Sequence, residues 1–105
     1  MTSPQRGEVW WAEVPDAGRR PVLVLTRDAA IGKLNKLVVA PITRTVRGIP
    51  TEVELDESDG MPKPCAVSLD NVSVVDSWAL TDRICALDVI KLERVCESLR
   101  VAVDC

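Results

Sequence analysis

Two stretches of the sequence decide the fold: GRRPVLVLT at residues 18–26 and LVVAPITRT at residues 37–45. Each contains an apolar run of strand length that is rich in valine and bounded by polar residues. Such runs are typical of strands that are buried on both faces of a sheet. The sequence therefore predicts two central strands, at residues 21–26 and 37–42.

A polar side chain stands at one end of each predicted strand. Pro21 fixes the backbone at the entry of the first strand and disfavours a helical conformation for Arg20, so we expect the Arg20 guanidinium at a defined sheet edge. Thr43 is the first polar residue after the second apolar run, where that strand leaves the core. Both side chains can donate hydrogen bonds to phosphate oxygens, which makes these positions candidates for an anion site.

Shorter patterns predict the rest of the sheet. Residues 8–14 and 51–55 alternate as half-buried strands do, and we expect the second of these to form a hairpin with the strand at residues 37–42 through a long tip. Further short strands are expected at residues 65–69 and 83–87.

The C-terminal segment has helical periodicity. Asp88 is a candidate N-cap, and apolar residues recur behind it at steps typical of one helix face, namely Leu92, Val95, Cys96, Leu99 and Val103. Five or six short strands with this helix predict an α+β fold, in which a strongly curved antiparallel sheet packs against short helices and a C-terminal amphipathic helix. At 105 residues, we expect one domain covering residues 1–105.

Composition excludes several classes of protein. No apolar run approaches the roughly 20 residues that span a bilayer, and the N-terminus lacks the apolar stretch of a signal peptide, so we expect a soluble cytoplasmic protein with no membrane association. The chain has no histidine, and its four cysteines match no zinc-binding spacing. We therefore predict reduced, structural thiols, no metal site and no cofactor.

The charge is distributed unevenly along the chain. Net charge is -3, but residues 1–50 carry 8 Lys and Arg against 4 Asp and Glu, whereas residues 51–105 carry 5 against 12. Four arginines cluster around the two strand-end motifs: Arg19, Arg20, Arg44 and Arg47. A local positive patch on an acidic molecule would suit a nucleic acid, and the alternative interpretation is an ordinary solvated surface.

Four motifs occur in a fixed order: RGEVWW at residues 6–11, GRRP at 18–21, APITRT at 40–45 and SLDN at 68–71. Together they resemble the MazF/PemK family of toxin endoribonucleases. The resemblance implies an SH3-like, partly barrelled sheet and the toxin of a type II toxin-antitoxin system, which inhibits translation and growth by cutting RNA. It also implies a homodimer whose two subunits form one groove for single-stranded RNA, and a cognate acidic, MazE-like antitoxin that occupies the same groove.

The resemblance assigns the catalytic roles to Arg20 and Thr43. Metal-independent RNA cleavage uses the neighbouring 2'-hydroxyl as nucleophile and gives a 2',3'-cyclic phosphate and a 5'-hydroxyl. Arg20 is suited to stabilise the extra charge on the phosphorane, but its high pKa argues against a role as general base. Many relatives have a longer loop before this arginine, and its glutamate has been considered functional. Here that loop offers only Asp16, so the sequence leaves the base open.

Two tryptophans in the first strand invite opposite interpretations. The alternation of residues 8–14 places Trp11 on one face and Trp10 on the other. We assign Trp11 to the core, and we consider Trp10 a candidate for stacking on an RNA base, with a core or dimer-interface position as its alternative. For Trp78 the sequence does not distinguish packing from an interface.

The remaining RNA-binding candidates are polar residues of the motifs. Asn71 could hydrogen-bond a base or simply form a turn at the end of a strand. The others would contact phosphates, mostly from the hairpin tip, or belong to a solvated loop: Arg19, Arg44, Thr45 and Arg47.

Two other functions fit the same fold. One is a non-catalytic SH3-like module that binds a peptide or DNA, such as a gyrase-directed toxin, because a related toxin family shares the fold. The other is a degenerate toxin that binds only antitoxin or operator DNA. The presence of both Arg20 and Thr43 favours the ribonuclease.

Overall fold

The computed structural model describes residues 3–104, so Cys105 lies outside the described part of the chain. Strands dominate it. In chain order the strands and α-helices are β1 (Glu8–Val14), β2 (Gly18–Val24), α1 (Asp28–Ile31), β3 (Lys36–Thr43), β4 (Glu52–Leu55), β5 (Cys65–Ser68), β6 (Ser73–Asp76), β7 (Leu80–Ala86) and α2 (Val89–Val103). Single 3-10 turns occupy Glu57–Asp59, Leu69–Asn71 and Ser77–Ala79.

The strands form one curled antiparallel sheet in the order β4-β5-β3-β2-β1-β7. Strand β6 pairs with the first half of β3, and β5 pairs with its end. The predicted central strands therefore exist as β2 and β3, and the α+β class with its curved antiparallel sheet is confirmed.

The predicted hairpin between β3 and β4 is wrong, because β5 lies between them. Val67 of β5 pairs with Ile42 on one side and with Val53 on the other. All four residues of β5 are buried, so a central position gives its backbone hydrogen-bond partners on both edges.

Both faces of the sheet are covered, which produces two apolar clusters. Val9, Leu23, Val67 and Leu69 belong to the first cluster, which also includes Val95 of α2. The second cluster lies on the opposite face and contains Trp10, Val22, Val24, Leu37 and Val39. Successive residues of β1 and β2 thus enter different clusters, which follows from the two-residue period of a strand.

Helix α2 begins as predicted. The Asp88 carboxylate accepts a hydrogen bond from the Lys91 backbone N–H at 2.8 Å, and Val95 is 1% exposed. Val103, however, was predicted on the buried stripe and is 55% exposed. Ala102 packs against the core instead, because seven residues after Val95 bring the helix back to nearly the same face, whereas eight rotate it away.

None of the helices in residues 3–104 is long and apolar enough to cross a membrane.

Candidate active site

A groove of about 1120 Å³ runs along the ends of β1, β2 and β3 and is bordered by β6 and the loop before β5. Five of its lining residues are basic: Arg19, Arg20, Lys36, Arg44 and Lys63. Its two carboxylates are Glu13 and Asp76, and two tryptophans, Trp11 and Trp78, supply aromatic surface. The positive patch predicted from the motifs is therefore concentrated in a concave surface.

The pairing of β2 with β3 puts Arg20 and Thr43 on neighbouring strands. The paired segment ends with Val22 opposite Pro41, and Arg20 and Thr43 each lie two residues beyond that pair. The two-residue period of a strand therefore places both on the same face as that pair. Both residues line the groove.

Arg20 projects from the exposed end of β2, just after the turn that joins it to β1. Its Nε donates to the Ala17 carbonyl at 3.1 Å, the one hydrogen bond that this guanidinium makes within the described chain. Gly18, with φ of +76°, lets the chain re-enter β2 after this turn. The Nε contact orients the guanidinium and leaves both terminal nitrogens available to an anion.

Thr43 is partly buried at the end of β3, and its hydroxyl is already oriented. Thr43 Oγ1 accepts a hydrogen bond from the Thr45 backbone N–H at 3.1 Å. A hydroxyl that accepts one bond keeps its own proton available for donation. Arg20 and Thr43 thus offer hydrogen-bond donors from neighbouring strands into the same groove.

A sequence model of the PemK-like, MazF-like toxins of type II toxin-antitoxin systems matches residues 5–103. The chain belongs to this family.

Similar proteins cover nearly the whole chain. "Probable endoribonuclease MazF5" of Mycobacterium tuberculosis is 50% identical over 103 residues, which span 97% of this chain and 94% of that protein. Endoribonuclease EndoA of Bacillus subtilis is 30% identical over 107 residues, 93% of this chain and 92% of its own. Among solved structures, M. tuberculosis toxin MazF-mt6 superposes with a TM-score of 0.86 at 35% identity, covering 92% of this chain and 96% of that one.

Two residues of this MazF-like toxin exchange the positions predicted for them. Trp10 is 5% exposed in the second apolar cluster, and its Nε1 donates to Glu8 Oε1 at 3.1 Å, so the prediction that it stacks on RNA is wrong. Trp11, which was assigned to the core, is only partly buried and lines the groove. The alternation of residues along β1 assigned the two tryptophans to opposite faces correctly. It did not show that the face with Trp10 is the more deeply buried one.

The other polar candidates divide into two groups. Arg19 and Arg44 line the groove, whereas Thr45, Arg47 and Asn71 do not. Asn71 Nδ2 donates to Ser68 Oγ at 2.8 Å within a 3-10 turn, which agrees with the turn-forming interpretation. The Arg47 backbone N–H donates to Glu52 Oε1 at 2.8 Å, which ties the loop after β3 to β4.

Sequence reasoning missed four charged residues of the groove: Glu13, Lys36, Lys63 and Asp76. Asp16, the carboxylate offered by the shortened loop, does not line it; Glu13 does, three residues earlier on β1. Lys36 and Lys63 also border the groove. Glu13 follows Trp11 by two residues on β1, so the two-residue period of a strand could have placed it on the same face as Trp11. The lysines come from segments that are distant in the sequence and reach the site only in the folded protein.

Of the three described cysteines, Cys65 and Cys85 are buried and Cys96 is partly exposed. Burial raises the pKa of both Cys65 and Cys85, which keeps these thiols protonated at neutral pH. Cys85 Sγ also contacts Met61 Sδ at 3.6 Å inside the first cluster. Within residues 3–104, no three His, Cys, Asp or Glu side chains cluster as metal ligands.

Proposed function

We propose that this chain is a sequence-selective endoribonuclease that cuts single-stranded RNA without a metal ion, leaving 2',3'-cyclic phosphate and 5'-hydroxyl ends. The class of enzyme is confirmed by the family and by relatives named endoribonucleases at 50% and 30% identity. The observation that carries the chemistry is the placement of Arg20 and Thr43 on neighbouring strands of one basic groove.

Arg20 stabilises the phosphorane in this mechanism. Attack of the 2'-hydroxyl on phosphorus adds negative charge to the non-bridging oxygens. A guanidinium anchored through Nε can direct its two terminal N–H groups at those oxygens, and such oriented donors lower the barrier by about 3 to 4 kcal/mol each in comparable sites. A guanidinium has hydrogen-bond donors and no acceptor, so its role here is electrostatic.

Thr43 supplies a second donor to the same phosphate. Because its Oγ1 accepts from the Thr45 N–H, the hydroxyl proton can point into the groove. The added hydrogen bond holds the phosphate in line with the attacking 2'-hydroxyl, which is a positional contribution to the rate.

A homodimer and an acidic antitoxin are the proposed partners. The MazE-MazF complex of Deinococcus radiodurans contains a MazF chain with a TM-score of 0.83 to this one at 26% identity, covering 98% of each chain. Next to the groove, Val74 and Trp78 are 57% and 76% exposed, and neighbouring Val38 is 39% exposed. This apolar patch suits a protein partner, and the basic groove suits the carboxylates of an antitoxin. Cleavage of cellular RNA would place the toxin in the cytoplasm.

The decisive experiment is cleavage of a long mixed-sequence single-stranded RNA in EDTA, followed by mapping of the fragment ends. We expect cuts at a short recurring sequence, with cyclic-phosphate and 5'-hydroxyl ends and unchanged rates after chelation. Activity that disappears in EDTA and returns with a divalent cation would contradict the metal-independent mechanism.

Thr43→Ala tests the second donor. We expect kcat to fall about 10- to 100-fold with little change in KM, because the hydroxyl bond strengthens as charge develops on the phosphate. Thr43→Ser should recover most of the rate, since it restores the hydroxyl. An equal loss of RNA affinity and turnover would reassign Thr43 to binding alone.

The non-catalytic alternative, a peptide- or DNA-binding module such as a gyrase-directed toxin, is not favoured, because the relatives that cover nearly all of this chain are named endoribonucleases. A degenerate toxin would bind antitoxin without cutting RNA. Growth arrest on expression, relieved by the antitoxin, distinguishes the active enzyme from that case.

A further inference from the structure

Trp11, Arg19 and Asp82 form a cluster of contacting side chains at the groove. The Arg19 guanidinium carbon lies 4.9 Å above the centroid of the Trp11 ring. The same guanidinium donates through Nη2 to the Asp82 carboxylate of β7. Trp11, Arg19 and Asp82 come from three adjacent strands, β1, β2 and β7, with Asp82 opposite Trp11 in the sheet register.

Arg19 and Arg20 have different surroundings although they are neighbours. Successive side chains of a strand point to opposite faces, and the register places Arg19 opposite Glu13 but Arg20 opposite Ala12. Arg19 is therefore on the Trp11 face of the hairpin, and Arg20 is on the face of Thr43. Both nevertheless line the same groove, which extends around the end of the hairpin.

Arg19 has partners on two sides. The Asp82 carboxylate accepts a hydrogen bond from Nη2, and the guanidinium carbon lies over the Trp11 ring. The Arg19 side chain still has 49% of its surface exposed. A planar guanidinium that lies over an aromatic ring and already pairs with a carboxylate is better suited to stack on a base than to bind a phosphate.

We propose that Arg19, which lies over Trp11 and pairs with Asp82, is the stacking platform for a base near the scissile phosphate. Guanidinium planes and aromatic rings both stack on unpaired RNA bases. Both residues line the groove, so an RNA that places its scissile phosphate on Arg20 passes close to Arg19. Lys63, which lines the groove too, adds positive charge along the strand. This assignment rests on the proposed ribonuclease function and extends it to substrate recognition.

Arg19→Lys separates stacking from charge. Lysine keeps the positive charge and can still pair with Asp82, but it has no planar face. We expect a rise of about fivefold or more in KM for the mapped cleavage-site RNA, with kcat nearly unchanged, since one base stack contributes at least about that factor. The melting temperature should stay at the wild-type value because the side chain is exposed, and Trp11→Phe, which keeps an aromatic support, should lose less than Arg19→Lys.

A series of RNA substrates with one abasic nucleotide locates the stacked base. At a single position next to the cut, removal of the base should weaken binding to the wild type and make the Arg19→Lys defect disappear. Wild-type KM for the Lys variant would overturn the platform and identify Arg19 as a charge contact. If the KM of Arg19→Lys exceeded that of the wild type by the same factor with every abasic substrate, the stacking platform would be overturned as well. No cleavage by the wild type would instead overturn the proposed function, together with the subsite that rests on it.

Discussion

Arg20→Ala is expected to lower kcat for RNA cleavage by about 10²- to 10³-fold, because it removes the donors that face the developing phosphorane charge. The protein should fold normally, since Arg20 is exposed and its side chain makes one hydrogen bond within the described chain, from Nε to a turn carbonyl. Single-turnover cleavage of the mapped RNA measures the chemical step directly.

Two further variants make the Arg20 result specific. Arg27→Ala removes an exposed arginine from the same basic half of the chain but outside the groove, and it should cleave at the wild-type rate. Arg20→Lys should stay well below wild type, because an ammonium does not reproduce the two parallel donors of a guanidinium. Wild-type turnover by Arg20→Ala would remove this residue from the active site, and loss of its folded structure would make it a structural residue.

Leu23→Ala is expected to reduce the free energy of unfolding by about 2 to 5 kcal/mol. Leu23 is 0% exposed on β2, in the cluster that joins the sheet to α2, and the strands on both sides leave little room for the cavity to collapse. Since domains of this size are stable by only about 5 to 15 kcal/mol, the variant loses a large part of its stability. Urea unfolding followed by far-ultraviolet circular dichroism measures the change.

Leu34→Ala is the matched control for the core variant. Leu34 is 47% exposed after α1, so the same change of side chain should alter stability by less than about 0.5 kcal/mol. A shift of similar size in both variants would mean that burial is not what makes Leu23 important. Cleavage by the Leu23 variant at low temperature should be close to wild type, because the groove residues are unchanged.

Local patterns predicted six of the seven strands in residues 3–104 and the C-terminal helix, because those signals lie within a few residues; β6 (Ser73–Asp76) was not among them. The valine-rich runs gave β2 and β3, and the spacing after Asp88 gave α2. Arg20 and Thr43 could be placed at strand ends for the same reason. Their common location required the register of Val22 with Pro41, which no local pattern encodes.

The errors have a common physical cause in long-range pairing. β5 lies between β3 and β4, and its four residues are all buried, as suits a central strand. The hairpin prediction was wrong because it considered only strands that are adjacent in the sequence. The positions of Trp10 and Trp11 were exchanged because both faces of β1 are covered to different extents. Alternation assigns residues to faces, but only the packing of β2, β3 and β7 determines which face stays open.

The pairing of β1 with β7 has a consequence for how the protein is made. β1 is synthesised well before β7, so the β1 edge that pairs with β7 stays unpaired until residues 80–86 have been made. Contacts between such distant segments also carry a larger loop-closure cost and slow the folding reaction. The pairing of β1 with β7 therefore forms late in synthesis. A nascent chain cut short before β7 would expose an open strand edge and be a target for chaperones or proteases.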